Sequence, residues 1–141
     1  MGIFFPWRAI GLYAPSAATA PTDAIYFHEA LAVCAAIHRV RHWTQAGRRI
    51  RRLAILSDNT NTVSAFNSLR TPPVYNSILK SAVDIMIRHS LQVRVDHVPG
   101  ALNVVADALS RGNLALVREL VPGIALFPFS PPRDALGASL S

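Results

Sequence analysis

Residues 95–111 of this chain are V-D-H-V-P-G-A-L-N-V-V-A-D-A-L-S-R. Across a Pro-Gly turn they place His97 first, Asn103 six residues later and Asp107 ten residues later. After the turn, apolar side chains recur at the spacing of one helix face. We therefore predict a strand, a turn and a short helix that holds Asp107 about one turn from its start. A carboxylate fixed against a core in this way is typical of a functional site.

The remaining segments predict alternating strands and helices. We expect two short strands within residues 2–14, a loop over 15–23, a buried strand over 52–57 and a strand over 91–98, with helices over 29–45, 62–69 and 75–89. This order predicts an α/β fold in which helices flank a mixed sheet. Several prolines after residue 120 predict that residues 115–141 form a Pro-rich tail or linker, which leaves one domain over 1–114.

The charge of the chain is strongly basic. There are 14 Lys and Arg against 8 Asp and Glu, a net charge of +6, and all but one of the cations are arginine. Six arginines fall within residues 39–52: Arg39, Arg41, Arg48, Arg49, Arg51 and Arg52. Arginine bonds phosphate through two donors at once, so a nucleic-acid partner fits this cluster. A solvated helix end is the alternative interpretation.

Cysteine content and hydropathy indicate the compartment. The single Cys34 excludes an internal disulfide framework and fits a reducing, intracellular setting, cytoplasmic or nuclear. The longest apolar run, residues 30–37, is far shorter than the ~20 residues needed to cross a bilayer. We therefore expect no membrane partner.

Three acids occupy positions that favour chemistry: Glu29 in the first long helix, Asp58 after a buried strand, and Asp107 in the last helix. Carboxylates that converge at strand ends repel one another unless a cation neutralises them. Mg²⁺ suits such oxygen ligands, and two such ions can drive phosphodiester hydrolysis. Each acid also has a structural alternative. Asp58 could cap the following helix, Glu29 could be an acid in the first helical turn that the helix dipole stabilises, and Asp107 could pair with Arg111 on the surface.

Three segments resemble the type 1 ribonuclease H domain of retroelement reverse transcriptases, particularly DIRS-like and related fungal elements. They are F-H-E-A-L-A-V, I-L-S-D-N-T-N-T-V and H-V-P-G-A-L-N-V-V-A-D-A-L-S-R, and the match spans residues 2–111. The resemblance implies a ribonuclease H-like fold that cleaves the RNA strand of RNA–DNA hybrids with two Mg²⁺ ions, which Mn²⁺ can replace. It further implies that Glu29, Asp58 and Asp107 bind metal, that His97 assists product release, and that Asn103 positions substrate.

One departure from the family concerns its first strand, which carries the carboxylate that bridges both metals. The present chain begins with a segment that resembles the second strand, so the resemblance implies an N-terminally truncated fold; Asp23 lies in the wrong element to replace the missing acid. We expect the isolated chain to be weakly active or inactive.

We expect the chain to bind nucleic acid even where catalysis is lost. Arg48, Arg49 and Arg51 would meet the phosphate backbone. Asn59, Thr60 and Asn103 would reach sugar 2′-hydroxyls. The alternative hypothesis is a noncatalytic module that binds nucleic acid or docks against a neighbouring polymerase or recombinase domain.

Overall fold

The computed structural model describes residues 1–14, 24–45, 47 and 49–130. Its strands are β1 (Gly2–Phe5), β2 (Ile10–Tyr13), β3 (Arg52–Ser57), β4 (Gln92–His97) and β5 (Ala125–Pro128). Its α-helices are α1 (Ala24–Gln45), α2 (Thr60–Ser68), α3 (Asn76–Arg88), α4 (Val104–Ser110) and α5 (Leu114–Leu120), with 3-10 turns at Pro6–Arg8, Pro73–Tyr75 and Gly100–Leu102. The predicted mixed α/β class is confirmed. The predicted loop over 15–23 lies outside the described residues.

The strands form two separate sheets. In the first, β2 lies in the middle, antiparallel to β1 and parallel to β5. In the second, β3 and β4 are parallel, with Ser57 opposite His97 at their ends. Asn67 on α2 covers part of β4, because its amide nitrogen donates to the carbonyl of Val95 at 2.7 Å and its oxygen accepts from the Val95 N–H at 3.2 Å. The chain therefore folds around two sheets where one was predicted.

The core is centred on α1, which packs between the sheets and α3. It carries Leu31, Cys34 and Ile37, all with 0% exposure, which belong to the same core cluster as Ile78 and Ala82 of α3. Burying each such aliphatic side chain stabilises the fold by about 1.5–3 kcal/mol. Cys34 is buried within this helix. Within the described ranges, no helix combines the length and apolar character needed to cross a membrane.

Residues 115–128 differ from the predicted tail. In α5, Val117 has 0% exposure and packs on Leu109 of α4. Strand β5 extends the first sheet, with Ile10 opposite Ala125 at one end of the ladder and Pro128 at the other. Proline is tolerated there because β5 is an edge strand and a sheet edge can lack an N–H donor. The packed fold thus reaches Pro128 and passes the predicted boundary at residue 114, and residues 131–141 lie outside the described part.

Candidate functional site

A cleft of about 390 Å³ lies between the two sheets. Strands β1 and β3 form its sides, and one face of α1 lies beneath it. At one end it is lined by Glu29, Asp58, Asn103 and Asp107. The structure therefore brings together four residues that the sequence singled out. They come from α1, from the end of β3 and from the first turn of α4. We refer to this end as the acidic end of the cleft.

Glu29 lies about one turn inside α1, because the helix begins at Ala24 and not at Glu29 as predicted. Its Oε2 accepts a hydrogen bond from the hydroxyl of Ser57 at 3.4 Å. Burial raises the pKa of Glu29, and the nearby charge of Asp58 adds to this effect; the Ser57 hydrogen bond and the Met1 ammonium act against it, and Asp107 raises it slightly further. The pKa of Glu29 therefore depends on the charges of both Asp58 and Asp107.

Asp58 follows β3 and is exposed, and its side chain faces the Gly100–Leu102 turn. A Cβ at Gly100 would lie 3.5 Å from Oδ2 of Asp58, which is ordinary contact. The predicted capping role belongs to the next residue: Asn59 is the N-cap of α2, and its Oδ1 accepts from the N–H of Thr62 at 3.1 Å. The capping interpretation of Asp58 is therefore wrong. Asp58 lines the cleft, and Asn59 caps α2.

Asp107 lies in the first turn of α4 and forms an ion pair with Arg111 one turn later. The Arg111 Nε lies 3.1 Å from Oδ2 of Asp107, and the two side chains are 75% and 48% exposed. The pairing considered from the sequence is therefore present. An exposed pair of this kind contributes roughly 0–1 kcal/mol, so Arg111 is a weak competitor for a ligand of Asp107.

The three carboxylates at the acidic end are the candidate ligands of a metal ion. Their donor chemistry suits Mg²⁺, since each contributes hard oxygen atoms. Among the described residues, however, no three His, Cys, Asp or Glu side chains lie close enough together to hold a metal ion. In the described part of the chain the acids share a cleft without forming a closed coordination sphere.

His97 and Asn103 lie on opposite sides of the Pro-Gly turn. His97 ends β4 opposite Ser57 and is exposed, and the side chains that line the cleft in the described structure do not include it. Asn103 is half-buried and lines the cleft, and its carbonyl accepts the first helical hydrogen bond of α4 from Asp107. The structure brings Asn103 to the acids and leaves His97 at the edge.

The predicted phosphate-binding residues lie away from the acidic end. Arg49 and Arg51 are exposed and precede β3, whereas Asp58 follows it. A six-residue strand is roughly 20 Å long, which sets the separation. Arg48 lies outside the described residues. Thr60 is exposed at the start of α2, beside the capping Asn59, so the predicted sugar-binding residues adjoin the acids while the arginines do not.

Sequence reasoning missed the role of Ser57. This residue is 2% exposed, and its hydroxyl both donates to Glu29 and accepts from the backbone N–H of Asn59 at 3.2 Å. It thereby ties the end of β3 to α1 and to the start of α2. The signal in the sequence was a lone hydroxyl closing an apolar strand just before an Asp-Asn pair.

The opposite end of the cleft is aromatic. Trp7 and Trp43 meet edge to face with ring centroids 5.4 Å apart, and Phe5 packs on Trp43 at 4.7 Å. The guanidinium carbon of Arg8 lies 4.5 Å from the centre of the Trp43 ring, within the range of a cation–π contact. Trp7 is 56% exposed, so it is not a core residue. We refer to this as the aromatic end.

Comparison with protein-family models, with curated proteins and with solved structures finds no match for this chain.

Proposed function

We propose that this chain is a ribonuclease H-like domain from the reverse transcriptase polyprotein of a retroelement. In this proposal it binds RNA–DNA hybrids and, by itself, cleaves them weakly or not at all. The observation that carries the proposal is the convergence of Glu29, Asp58 and Asp107 in one cleft. These acids come from α1, the end of β3 and α4, and each belongs to a segment that resembles the family.

The divided sheet supports the truncated form of the proposal. The resemblance implies a strand that precedes β1 and carries a further carboxylate. In the described structure β1 and β3 belong to different sheets, and the cleft lies between them. A strand of that kind between β1 and β3 would join the two sheets, and its carboxylate would reach the same cleft.

The proposal assigns one further ligand of a metal site to that strand. We propose Mg²⁺, or Mn²⁺ in its place, as the cation that Glu29, Asp58 and Asp107 would hold once a further ligand joined them. With fewer carboxylates the affinity for the ion falls, and the ions that would align water with phosphorus lose their geometry. We therefore derive no cleavage step for the isolated chain.

Binding of nucleic acid rests on charge and position. The net charge of +6 favours a polyanion, and Arg49 and Arg51 lie roughly 20 Å from the acidic end. A hybrid that reached from the arginines to the acids would meet Thr60 and Asn103 beside the acids, and the polar groups of both residues suit sugar hydroxyls. In this arrangement the arginines hold the phosphate backbone while the cleft meets the RNA strand.

The test is the salt dependence of hybrid binding. Affinity for an RNA–DNA hybrid should fall steeply between about 50 and about 200 mM salt, because phosphate contacts release counterions. Replacing Arg49 and Arg51 with alanine should reduce the slope of log affinity against log salt by about 2. The matched control replaces Arg88 and Arg118, exposed arginines on α3 and α5, and changes the net charge equally.

Two results would contradict this proposal. Equal slopes for both double variants would show that Arg49 and Arg51 do not make the assigned phosphate contacts. An affinity that does not depend on salt would show that binding is not electrostatic. Cleavage is measured in parallel with Mg²⁺. Robust cleavage that disappears in Asp58→Asn would show that the three acids suffice and that the site is complete.

A second candidate is a docking module for a neighbouring polymerase or recombinase domain. The observation that favours it is exposed apolar surface at the cleft, where Trp7, Leu56 and Leu102 are largely uncovered. Hybrid binding that is undetectable at low salt, together with tight binding of such a domain, would favour this candidate.

A further inference from the structure

A second cavity, of about 250 Å³, lies on a different face of α1 from the cleft. Helix α1 contributes His38, Arg39 and His42 to its lining, and the residues that follow β5 contribute Phe129 and Ser130. The cleft and this cavity share no lining residue in the described structure. We refer to this cavity as the α1–β5 pocket.

Strand β5 holds one wall of the α1–β5 pocket in place. Its pairing with β2 continues past Pro128, since the N–H of Phe129 donates to the carbonyl of Tyr13 at 3.0 Å. Phe129 packs half-buried against the core around α1, and Ser130 follows it at the pocket. Residues 125–130 lie outside the segments that resemble the ribonuclease H family. The pocket is therefore a feature of this chain that the resemblance does not supply.

Arg39 brings a positive charge to the pocket that no described carboxylate neutralises. It is half-buried, and the residues that line the pocket in the described structure include no Asp or Glu. The ion pairs within the described ranges use other arginines and leave Arg39 without an acidic partner. Partial burial of a charge without a counterion is unfavourable. The pocket therefore favours the binding of an anion.

Further donors line the same pocket. His42 lies one helical turn after His38, and the hydroxyl of Ser130 comes from the chain after β5. The ring of His38 is held in place, since its Nε2 lies 2.8 Å from the buried hydroxyl of Ser81 on α3. The guanidinium of Arg39 can bond two oxygens of one anion at once. Donors from two parts of the chain suit the three terminal oxygens of a phosphate better than the two oxygens of a carboxylate.

The volume and the apolar lining of the pocket limit the ligand. A volume of about 250 Å³ equals that of roughly eight water molecules at about 30 Å³ each. One phosphate group with a few carbon atoms fits this space, whereas a stretch of nucleic-acid backbone does not. Leu12, Ala35 and Phe129 give the pocket apolar surface, against which the carbon atoms of an ester can pack.

We propose that the α1–β5 pocket binds the phosphate monoester of a small organic molecule. Arg39 bonds two of the terminal oxygens, His42 and Ser130 donate to the remaining one, and the organic part lies against Phe129. This site is separate from the cleft, and the inference stands without hybrid binding or cleavage.

The test is isothermal titration calorimetry of the intact chain, without nucleic acid, in phosphate-free buffer at about pH 7.5. A monoester then carries close to two negative charges, because its second pKa is about 6. Phenyl phosphate should bind at one site, with a Kd of roughly 1 mM or lower. Inorganic phosphate should bind roughly fivefold more weakly, because it lacks the apolar part. Methyl phenyl phosphate, a diester with a single charge, should bind at least tenfold more weakly.

Protein variants locate the ligand. Arg39→Gln should weaken binding of phenyl phosphate at least tenfold, and Ser130→Ala, at an exposed position, should weaken it roughly threefold. The matched control is Arg41→Gln, which removes the same charge from another half-buried position of α1 that does not line the pocket. It should bind as the unmodified chain does. Far-UV circular dichroism checks the fold of each variant, and Ser130→Ala tests the pocket without changing α1.

Several results would overturn the proposal. Equal weakening by Arg39→Gln and Arg41→Gln would show attraction to the net positive charge alone, and equal binding of the diester would show that a monoester is not recognised. A 5′-phosphorylated oligonucleotide that binds through Arg39 more tightly than phenyl phosphate would assign the pocket to a strand end. Absence of binding by the intact chain would also contradict it, and recovery in Asp23→Asn or Asp134→Asn would assign the pocket to an acid of the chain itself.

Discussion

Replacing Gly2 with alanine should destabilise the fold by pushing α4 away from β1. A Cβ on Gly2 would lie 2.5 Å from the backbone nitrogen of Ser110, 2.6 Å from the carbonyl oxygen of Ala106 and 2.7 Å from Cβ of Leu109. All three distances are shorter than van der Waals contact, and two of the atoms belong to the backbone. Neither can move aside as the end of a side chain would, so the helix must shift as a unit.

The expected magnitude has two opposing parts. Overpacking of this kind typically costs about 1–3 kcal/mol. Removing a glycine restricts the unfolded chain and returns about 0.4–1 kcal/mol. Gly100→Ala separates the two parts, because a Cβ there meets a single atom, Oδ2 of Asp58, at 3.5 Å. Both variants gain the same stabilisation from the restriction of the unfolded chain. The difference between their free energies of unfolding should therefore equal the overpacking cost of about 1–3 kcal/mol.

The assay is urea denaturation followed by far-UV circular dichroism, with both variants beside the unmodified chain. Gly100→Ala should be as stable as the unmodified chain or slightly more stable, and Gly2→Ala should be less stable with an unchanged m-value. Equal stabilities of the two variants would refute the close packing of α4 on β1. Since α4 carries Asp107, that result would also remove the geometry of the acidic end.

Two further predictions concern the acidic end and the edge of β4. In the folded chain the pKa of Glu29 is raised above its ordinary value of 4.5, which is the pKa that applies to the unfolded chain. At a pH between the unfolded and the folded pKa, the folded chain therefore binds more protons than the unfolded chain. The free energy of unfolding should therefore fall as pH rises from about 4.5 through the raised pKa, and Glu29→Gln should flatten this decline; an unchanged pH profile would contradict the assignment. Asn67→Ala should lower the free energy of unfolding by about 1–3 kcal/mol, because it removes two hydrogen bonds to Val95 at about 0.5–1.5 kcal/mol each. The exposed Asn61→Ala on the same helix is its control in thermal or urea denaturation, and equal effects would show that the Asn67 bonds contribute nothing specific.

Local patterns predicted much of the fold because the signals lie within single segments. The apolar stripe of α3 and the Pro-Gly turn before α4 are examples, and both elements are present close to their predicted positions. The sequence predicts the start of α1 about one turn late, because an acid such as Glu29 is typical of the first turn of a helix. Its first residues, Ala24 onwards, carry little distinctive pattern.

Long-range pairing could not be obtained in this way. Strand β5 was predicted as tail because its neighbourhood is rich in proline, yet it pairs with β2, more than 100 residues earlier in the chain. The candidate acids were named from their positions at strand and helix ends, and the structure brings three of them to one cleft. Their competing contacts, such as the pair of Asp107 with Arg111, depend on side-chain geometry that spacing alone leaves open.

The aromatic end of the cleft also makes the molecule its own optical reporter. Trp7 and Trp43 are the only two tryptophans of the chain; Trp7 lines this end of the cleft, and Trp43 packs on Trp7. All tryptophan emission therefore comes from one place, and two indoles with centroids 5.4 Å apart are close enough to couple electronically. A change in the near-ultraviolet dichroism or in iodide quenching would register the state of this end of the cleft without any label, while the acidic end remains spectroscopically silent.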